Sequence, residues 1–192
     1  MAEQNLAGMR VAIVATDLFE EAELIQPREA LQQAGALTVV ISPHSGDIQA
    51  VQHDKKTQKV KVDMTLDEAK ATDFDAVLIP GGAMNADALR VESKAQQFVR
   101  EMDTSQKPIA VICHGPWLLI SAGLVKGHEM TSYHTIRDDV KNAGANYRDE
   151  EVIRDRNWVS SRQPSDIPRF NHEMIQLFHE SFNRKSDERR VA

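Results

Sequence analysis

The strongest constraint on this chain is the way short, continuous apolar runs alternate with longer amphipathic stretches. Arg10-Val11-Ala12-Ile13-Val14-Ala15-Thr16, Leu37-Thr38-Val39-Val40-Ile41, Ala76-Val77-Leu78-Ile79, Ile109-Ala110-Val111-Ile112 and Trp158-Val159-Ser160-Ser161 read as strands. Most of these runs are apolar throughout instead of alternating, which marks strands covered on both faces of a parallel sheet. Helical patterns lie between them, and several stop at Ala-Gly: Gly35, Gly123 and Gly144. Strand–helix alternation of this kind predicts a three-layer α/β sandwich with a mainly parallel sheet.

The remaining elements follow from local chemistry. Leu24, Ile25 and Leu31 give the first helix its apolar side, and Pro27 within it either opens or kinks the helix. Residues 44–64 are polar and alternating, with Val60 and Val62 on one face, and read as a hairpin at a sheet edge. Thr65-Leu66-Asp67-Glu68 has the form of a capping box and predicts a short helix there. Helices are also expected over 92–103, 114–122 and 136–143, and a last one after Asp166-Ile167-Pro168. The pattern defines one domain over 9–182, between a flexible N-terminus at 1–8 and a charged, disordered tail at 183–192.

Several function classes are excluded. The net charge of -6 leaves no cationic footprint for nucleic acid. One cysteine excludes an internal disulfide and a cysteine-rich metal site, and seven scattered histidines show no ligand spacing. No metal or cofactor is expected. Neither a membrane span nor a signal peptide is recognisable, so no membrane partner is expected and the cytoplasm is the expected location.

In an open α/β sheet, sites lie beyond the carboxyl ends of the strands. That directs attention to the loops at 16–23, 80–87 and 113–116. The third holds the most informative string, Ile112-Cys113-His114-Gly115-Pro116, where a strand runs straight into the single cysteine and a helix follows. A thiol on such a turn resembles a nucleophile elbow with sulfur in place of oxygen. Near a helix N-terminus its pKa is expected to fall. The alternative is an inert buried cysteine. His114, adjacent, is a candidate base if the turn brings it round to the sulfur, and otherwise a polar residue at a helix start. Gly81 and Gly82, after a strand, can expose backbone N–H groups to an oxyanion, or form an ordinary turn. Asp17, Glu20, Glu21 and Glu23 cluster after the first strand. One of them beside the thiol would be protonated, because two adjacent anions are disfavoured, and periodicity does not choose which. Tyr133, His134 and Asp138-Asp139 are candidates for the pocket rim.

Three strings, Ala15-Thr16-Asp17-Leu18-Phe19-Glu20-Glu21-Ala22-Glu23-Leu24, Leu78-Ile79-Pro80-Gly81-Gly82 and Ile112-Cys113-His114-Gly115-Pro116, together resemble the DJ-1/PfpI superfamily, and its PfpI branch most closely. Thr131-Ser132-Tyr133 and Asn157-Trp158-Val159-Ser160-Ser161-Arg162 extend the resemblance over residues 9–182. It implies a flavodoxin-like sandwich of the class I glutamine-amidotransferase type. It implies Cys113 as nucleophile, Glu23 as the protonated carboxyl beside it and His114 as base. Gly82 and the backbone at Cys113 and His114 become anion-binding groups. In the PfpI branch a neighbouring subunit supplies an acid to the histidine, and Asp87 is the candidate here, which implies a homo-oligomer, a dimer or higher. The implied activities are a glyoxalase or deglycase acting on reactive dicarbonyls or their protein adducts, a cysteine peptidase acting on peptides, or a non-enzymatic redox sensor or chaperone.

Overall fold

The computed structural model describes residues 5–191, and side chains through residue 184. In chain order the strands and helices are β1 (Arg10–Val14), β2 (Phe19–Glu20), α1 (Glu21–Gln33), β3 (Leu37–Ser42), β4 (Asp47–Gln52), β5 (Lys55–Lys61), β6 (Met64–Thr65), β7 (Ala76–Ile79), α2 (Ala83–Arg90), α3 (Ser93–Thr104), β8 (Ile109–Ile112), α4 (Pro116–Ser121), β9 (Glu129–Met130), α5 (Arg137–Asn142), β10 (Asn146–Tyr147), β11 (Val152–Asp155), β12 (Trp158–Ser161) and α6 (Ile167–Val191). The central sheet runs β11-β12-β8-β7-β1-β3-β6. Every pairing in it is parallel except β11 with β12.

Successive residues of each central strand point to opposite faces, so one apolar run feeds two cores. Val11, Ile13, Leu78 and Ala110 pack with Leu24 and Leu31 of α1 and with Phe170, Met174 and Phe178 of α6. Ala12, Val14, Val77, Ile79 and Val111 pack with Phe98 and Val99 of α3, Leu118 of α4 and Val140 of α5. Most of these side chains are fully buried. Each buried Val, Leu or Ile contributes about 1.5–3 kcal/mol, which is what makes the two-sided apolar run so strong a determinant of the fold.

The structure departs from the sequence expectations in several places. The hairpin β4–β5 does not extend the central sheet. It forms a separate sheet, β2-β4-β5, with Val60 and Val62 buried in the core on the α1 side. The edge position next to β3 belongs to the two-residue β6. Glu68 does reach back to Thr65, accepting from its N–H at 2.9 Å and its Oγ1 at 2.7 Å, but only a turn forms there. One of the two capping-box bonds, from the Thr65 N–H to Glu68, closes here, and without an amphipathic run it propagates no helix. Residues 83–87, expected in a loop, begin the helix α2, with Gly82 as its N-cap. Pro27 lies inside α1, where it is buried.

At the N-terminus, residues 1–4 of the segment expected to be flexible lie outside the described residues. Leu6 is fully buried, and its N–H bonds the Ala34 carbonyl at 2.7 Å. At the other end α6 continues past residue 182 to Val191, through a charged stretch that contains no glycine or proline to stop it. Among the described residues no helix is long and apolar enough to cross a membrane.

Candidate active site

β8 ends at Ile112, and Cys113 turns the chain with φ of 62° before α4 starts at Pro116. A non-glycine residue in this left-handed region is uncommon and costs of order 1–3 kcal/mol. Two bonds hold it there. The Cys113 N–H donates to the Ser161 carbonyl of β12 at 3.1 Å, and the Tyr133 N–H donates to the Cys113 carbonyl at 2.9 Å. The backbone of Cys113 is therefore fully engaged, and its N–H is not free to serve an oxyanion.

The turn brings His114 round to the sulfur, with Nδ1 3.1 Å from Cys113 Sγ. Nε2 lies 3.2 Å from Thr135 Oγ1. The ring sits between Trp117 and Tyr133, at centroid distances of 5.3 and 4.9 Å. Burial, helped by the positive character of His134, pushes the imidazole below its usual pKa of 6.5, so at neutral pH His114 is an uncharged base.

Glu23 is fully buried at the start of α1. Its Oε2 accepts the Gly81 N–H at 2.8 Å, while Oε1 is buried with no well-aligned partner. The carboxyl shares this space with the Cys113 thiol. Burial raises its pKa from 4.5 to about 8, opposed by hydrogen bonding to Cys113 and Gly81, and Glu20 raises it further. At neutral pH Glu23 therefore carries its proton. Of the four acids after β1, burial selects this one.

The thiol departs from expectation. Burial pushes the Cys113 pKa up, and an ionised Glu23 would push it further, whereas the N–H groups of Gly82 and His114 pull it down. The loss of hydration outweighs any help from the six-residue α4. With Glu23 protonated its repulsion disappears, and the carboxyl O–H can donate to sulfur. At neutral pH the sulfur thus sits between a protonated carboxyl and an uncharged imidazole.

Gly81 and Gly82 have different tasks. A Cβ on Gly81 would lie 2.4 Å from Glu23 Oε2 and 2.7 Å from Cys113 Cβ. Its N–H is spent on Glu23, so it positions the acid and does not face an oxyanion. Gly82, at φ of 86°, turns its N–H toward the sulfur. Asn85 braces this turn. Buried at the start of α2, it donates to the carbonyls of Pro80 and Gly81 and accepts the Thr16 N–H.

The cavity above the sulfur has a volume of about 820 Å³ and is lined by Leu18, Glu20, Glu23, Gly82, Met84, Cys113, His114 and Tyr133, among others. Leu18, at φ of 62°, is held by its N–H bond to the Gln49 carbonyl at 2.7 Å. The hairpin β4–β5 brings His53, Asp54 and Lys56 to the mouth, and Gln163, Pro164 and Ser165 close another side. Glu20 accepts the His53 N–H at 3.0 Å, tying the hairpin tip to the mouth. His134 is exposed and packs at a tilt against Tyr133 without lining the cavity. Asp87 is exposed on α2, also outside the cavity lining, and within this chain Thr135 is the partner at His114 Nε2. Thr135, Asn85, the hairpin residues and the 163–165 segment escaped sequence reasoning. Only Asn85 had a usable signal, as a polar residue beside a double glycine.

A cysteine on a strand-to-helix elbow, with an adjacent histidine and a buried acid, defines a thiol-centred α/β sandwich. The chain belongs to the DJ-1/PfpI family, whose model matches residues 9–177. It is 42% identical over 169 residues to the deglycase PfpI of Pyrococcus furiosus, covering 88% of this chain and 99% of that protein. It is 41% identical over 171 residues to general stress protein 18 of Bacillus subtilis, covering 88% and 98%. It is 40% identical over 168 residues to the candidate cysteine protease YraA of the same organism, covering 88% and 97%. Among solved structures, a two-domain protein of Anabaena variabilis with DJ-1/ThiJ/PfpI-like and ferritin-like domains superposes with a TM-score of 0.82 at 36% identity, covering 88% of this chain and 47% of that one. A ThiJ/PfpI domain protein of Brachyspira murdochii shares the fold, with a TM-score of 0.83 at 21% identity over 91% and 98% of the two chains.

Proposed function

We propose that this protein is a cysteine-dependent enzyme that acts on reactive dicarbonyls or the glycation adducts they form, with Cys113 as nucleophile, His114 as base and Glu23 as acid. The observation that carries the reading is the thiol itself, set between an uncharged imidazole 3.1 Å away and a buried carboxyl that keeps its proton to about pH 8. Relatives named as deglycases support the same reading.

On a dicarbonyl such as methylglyoxal, the S–H proton passes to His114 Nδ1 and the sulfur forms a bond to the aldehyde carbon. The aldehyde oxygen takes up the electron pair of its π bond, faces the N–H groups of Gly82 and His114, and is protonated. The base then removes the C–H proton of that hemithioacetal carbon while the neighbouring ketone oxygen takes up a proton, giving an ene-diol; a proton returns to the former ketone carbon as the hydroxyl on the sulfur-bearing carbon gives up its own and becomes a carbonyl. The product is a lactoyl thioester, which water cleaves to lactate and free thiol. Methylglyoxal and one water give lactate, with no net redox change and no added cofactor. An adduct on a protein side chain first reverts, its carbinol O–H losing a proton as the C–N or C–S bond breaks and the side chain leaving as free amine or thiol, and the aldehyde so released enters the same sequence.

The test is lactate formation from methylglyoxal by the purified chain, without glutathione or metal, beside cleavage of unfolded protein and small peptide esters. Lactate above a heat-killed control supports the proposal. No lactate with clear peptide cleavage transfers the same three residues to a peptidase. Inertness in both assays, with ready oxidation of Cys113 by mild peroxide, transfers the thiol to a redox-sensing or chaperone role.

A further inference from the structure

Asp17 and His44 are ionisable residues that the proposed mechanism does not use, and the fold joins them. His44 lies between β3 and β4. Its Nε2 is 3.0 Å from Asp17 Oδ2, and its Nδ1 is 3.1 Å from the Ser45 carbonyl oxygen. A carbonyl and an ionised carboxylate only accept hydrogen bonds. Both ring nitrogens therefore carry hydrogen when both bonds are made, and the ring is then an imidazolium. The other oxygen of Asp17 accepts the Gln49 N–H at 2.8 Å, and the Leu18 N–H donates to the Gln49 carbonyl at 2.7 Å. These bonds are all internal to the chain and run without a gap from His44 to Leu18. Leu18 sits at φ of 62°, where a side chain persists only if its surroundings hold it, and it lines the cavity above the sulfur. The same loop packs on the Gly82 turn. A Cβ at Gly82 would lie 2.7 Å from both the Leu18 carbonyl oxygen and the Glu20 nitrogen, and the Glu20 N–H donates to the Gly81 carbonyl at 3.4 Å.

We infer that His44 is a positioning residue for the Cys113 site: as an imidazolium it holds Asp17 where Leu18 is seated and the loop is pressed on Gly82, and it releases Asp17 as the pH rises. Histidine is the side chain whose charge changes between about pH 5 and 8. When the ring gives one proton to solvent, either Nε2 turns a lone pair to the Asp17 carboxylate or Nδ1 turns one to the Ser45 carbonyl. One bond and the charge attraction are lost in either case. The latch is therefore complete at the acidic end of the window and opens toward the alkaline end. The ionisable groups around it come from three segments. Asp17 belongs to the loop after β1. Asp47 starts β4 on the segment of His44 itself, and Lys61 of β5 pairs with Asp47 across the hairpin. At the other end of the loop Glu20 Oε1 is 3.9 Å from His53 Nδ1. That second pair has the same sign, since His53 attracts Glu20 only when charged. The His44–Asp17 pair is half-exposed, which limits its effect to a few-fold. This inference deepens the proposed function and rests on it for what the loop is positioned to serve, though not for the latch.

The experiment compares full-length wild type, His44→Ala and His44→Lys over about pH 5–8. It measures amide hydrogen-exchange protection at Leu18 and Gln49 by NMR, corrected for the intrinsic rate at each pH, iodoacetamide alkylation of Cys113, and kcat/KM for lactate formation. In wild type, protection at both amides falls as the pH rises through the window. His44→Ala has low protection throughout. His44→Lys, whose ammonium stays charged, restores protection and makes it independent of pH. Alkylation and kcat/KM of wild type exceed those of His44→Ala by about two- to fivefold at the acidic end, the worth of a half-exposed pair, and the ratio falls toward one at the alkaline end. Titration of His114 and His53 cancels in that ratio. Protection in wild type that does not change with pH overturns the inference, as does a pH-independent ratio, or a His44→Lys chain as poorly protected as His44→Ala. If wild type makes no lactate but exchange and alkylation follow the pattern, the dicarbonyl reading falls and the role of His44 stands. Lactate from wild type without the pattern removes the role of His44 and leaves the dicarbonyl reading in place.

Discussion

Replacing Glu23 by glutamine tests the buried acid through stability as well as through activity. Glu23 titrates near 4.5 when unfolded and at about 8 in the folded chain. Between those values the folded state binds a proton that the unfolded state has released, so stability falls as pH rises through the window. The slope is about 1.4 kcal/mol per pH unit. At pH 7, about 2.5 units above the unfolded value, the folded chain has given up roughly 3 kcal/mol relative to its stability at the lower end of the window. Glutamine mimics the protonated carboxyl. Its Oε1 can accept the Gly81 N–H, and its amide can face the sulfur, without any charge to lose. Urea unfolding of wild type and Glu23→Gln over about pH 5–8 is therefore expected to give curves that diverge, the variant gaining steadily on wild type to roughly 3 kcal/mol near neutrality. Titrating groups that do not interact with Glu23 cancel in the difference. Parallel curves across the window would refute the reasoning, because they would mean that Glu23 titrates alike in both states.

Gly81→Ala places a methyl group 2.4 Å from Glu23 Oε2 and 2.7 Å from Cys113 Cβ. Urea unfolding should show a loss of about 1–3 kcal/mol, with activity falling further as the acid is displaced. Because His114 must be uncharged, kcat/KM should rise with pH along an acid limb lying below 6.5, and His134→Ala should move that limb to higher pH by removing the repulsion on the imidazolium.

The parts of this molecule set by many residues at once were legible in the sequence. The continuous runs at 10–16, 76–79 and 109–112 required strands buried on both faces, and the structure fills two cores from their alternating side chains. The elbow at Cys113 was legible because a strand, a lone cysteine and a proline-started helix lie within a few residues. What escaped depends on single contacts across the fold. Glu68 takes the Thr65 N–H as a capping box would, but the pair heads no helix. The Gly81 N–H is aimed at Glu23, 58 residues away. The thiol is raised by desolvation that no local string encodes, and Thr135 meets His114 from an exposed turn with no pattern to announce it.

The central claim, that chemistry on a dicarbonyl passes through the Cys113 sulfur, is tested most directly by exposing wild type and Cys113→Ser side by side to methylglyoxal without glutathione or metal. Lactate and the mass of the Cys113 peptide are followed after rapid quenching. The account expects lactate from wild type alone, and a transient mass gain equal to methylglyoxal on the Cys113 peptide. Equal lactate from a folded Cys113→Ser would contradict it.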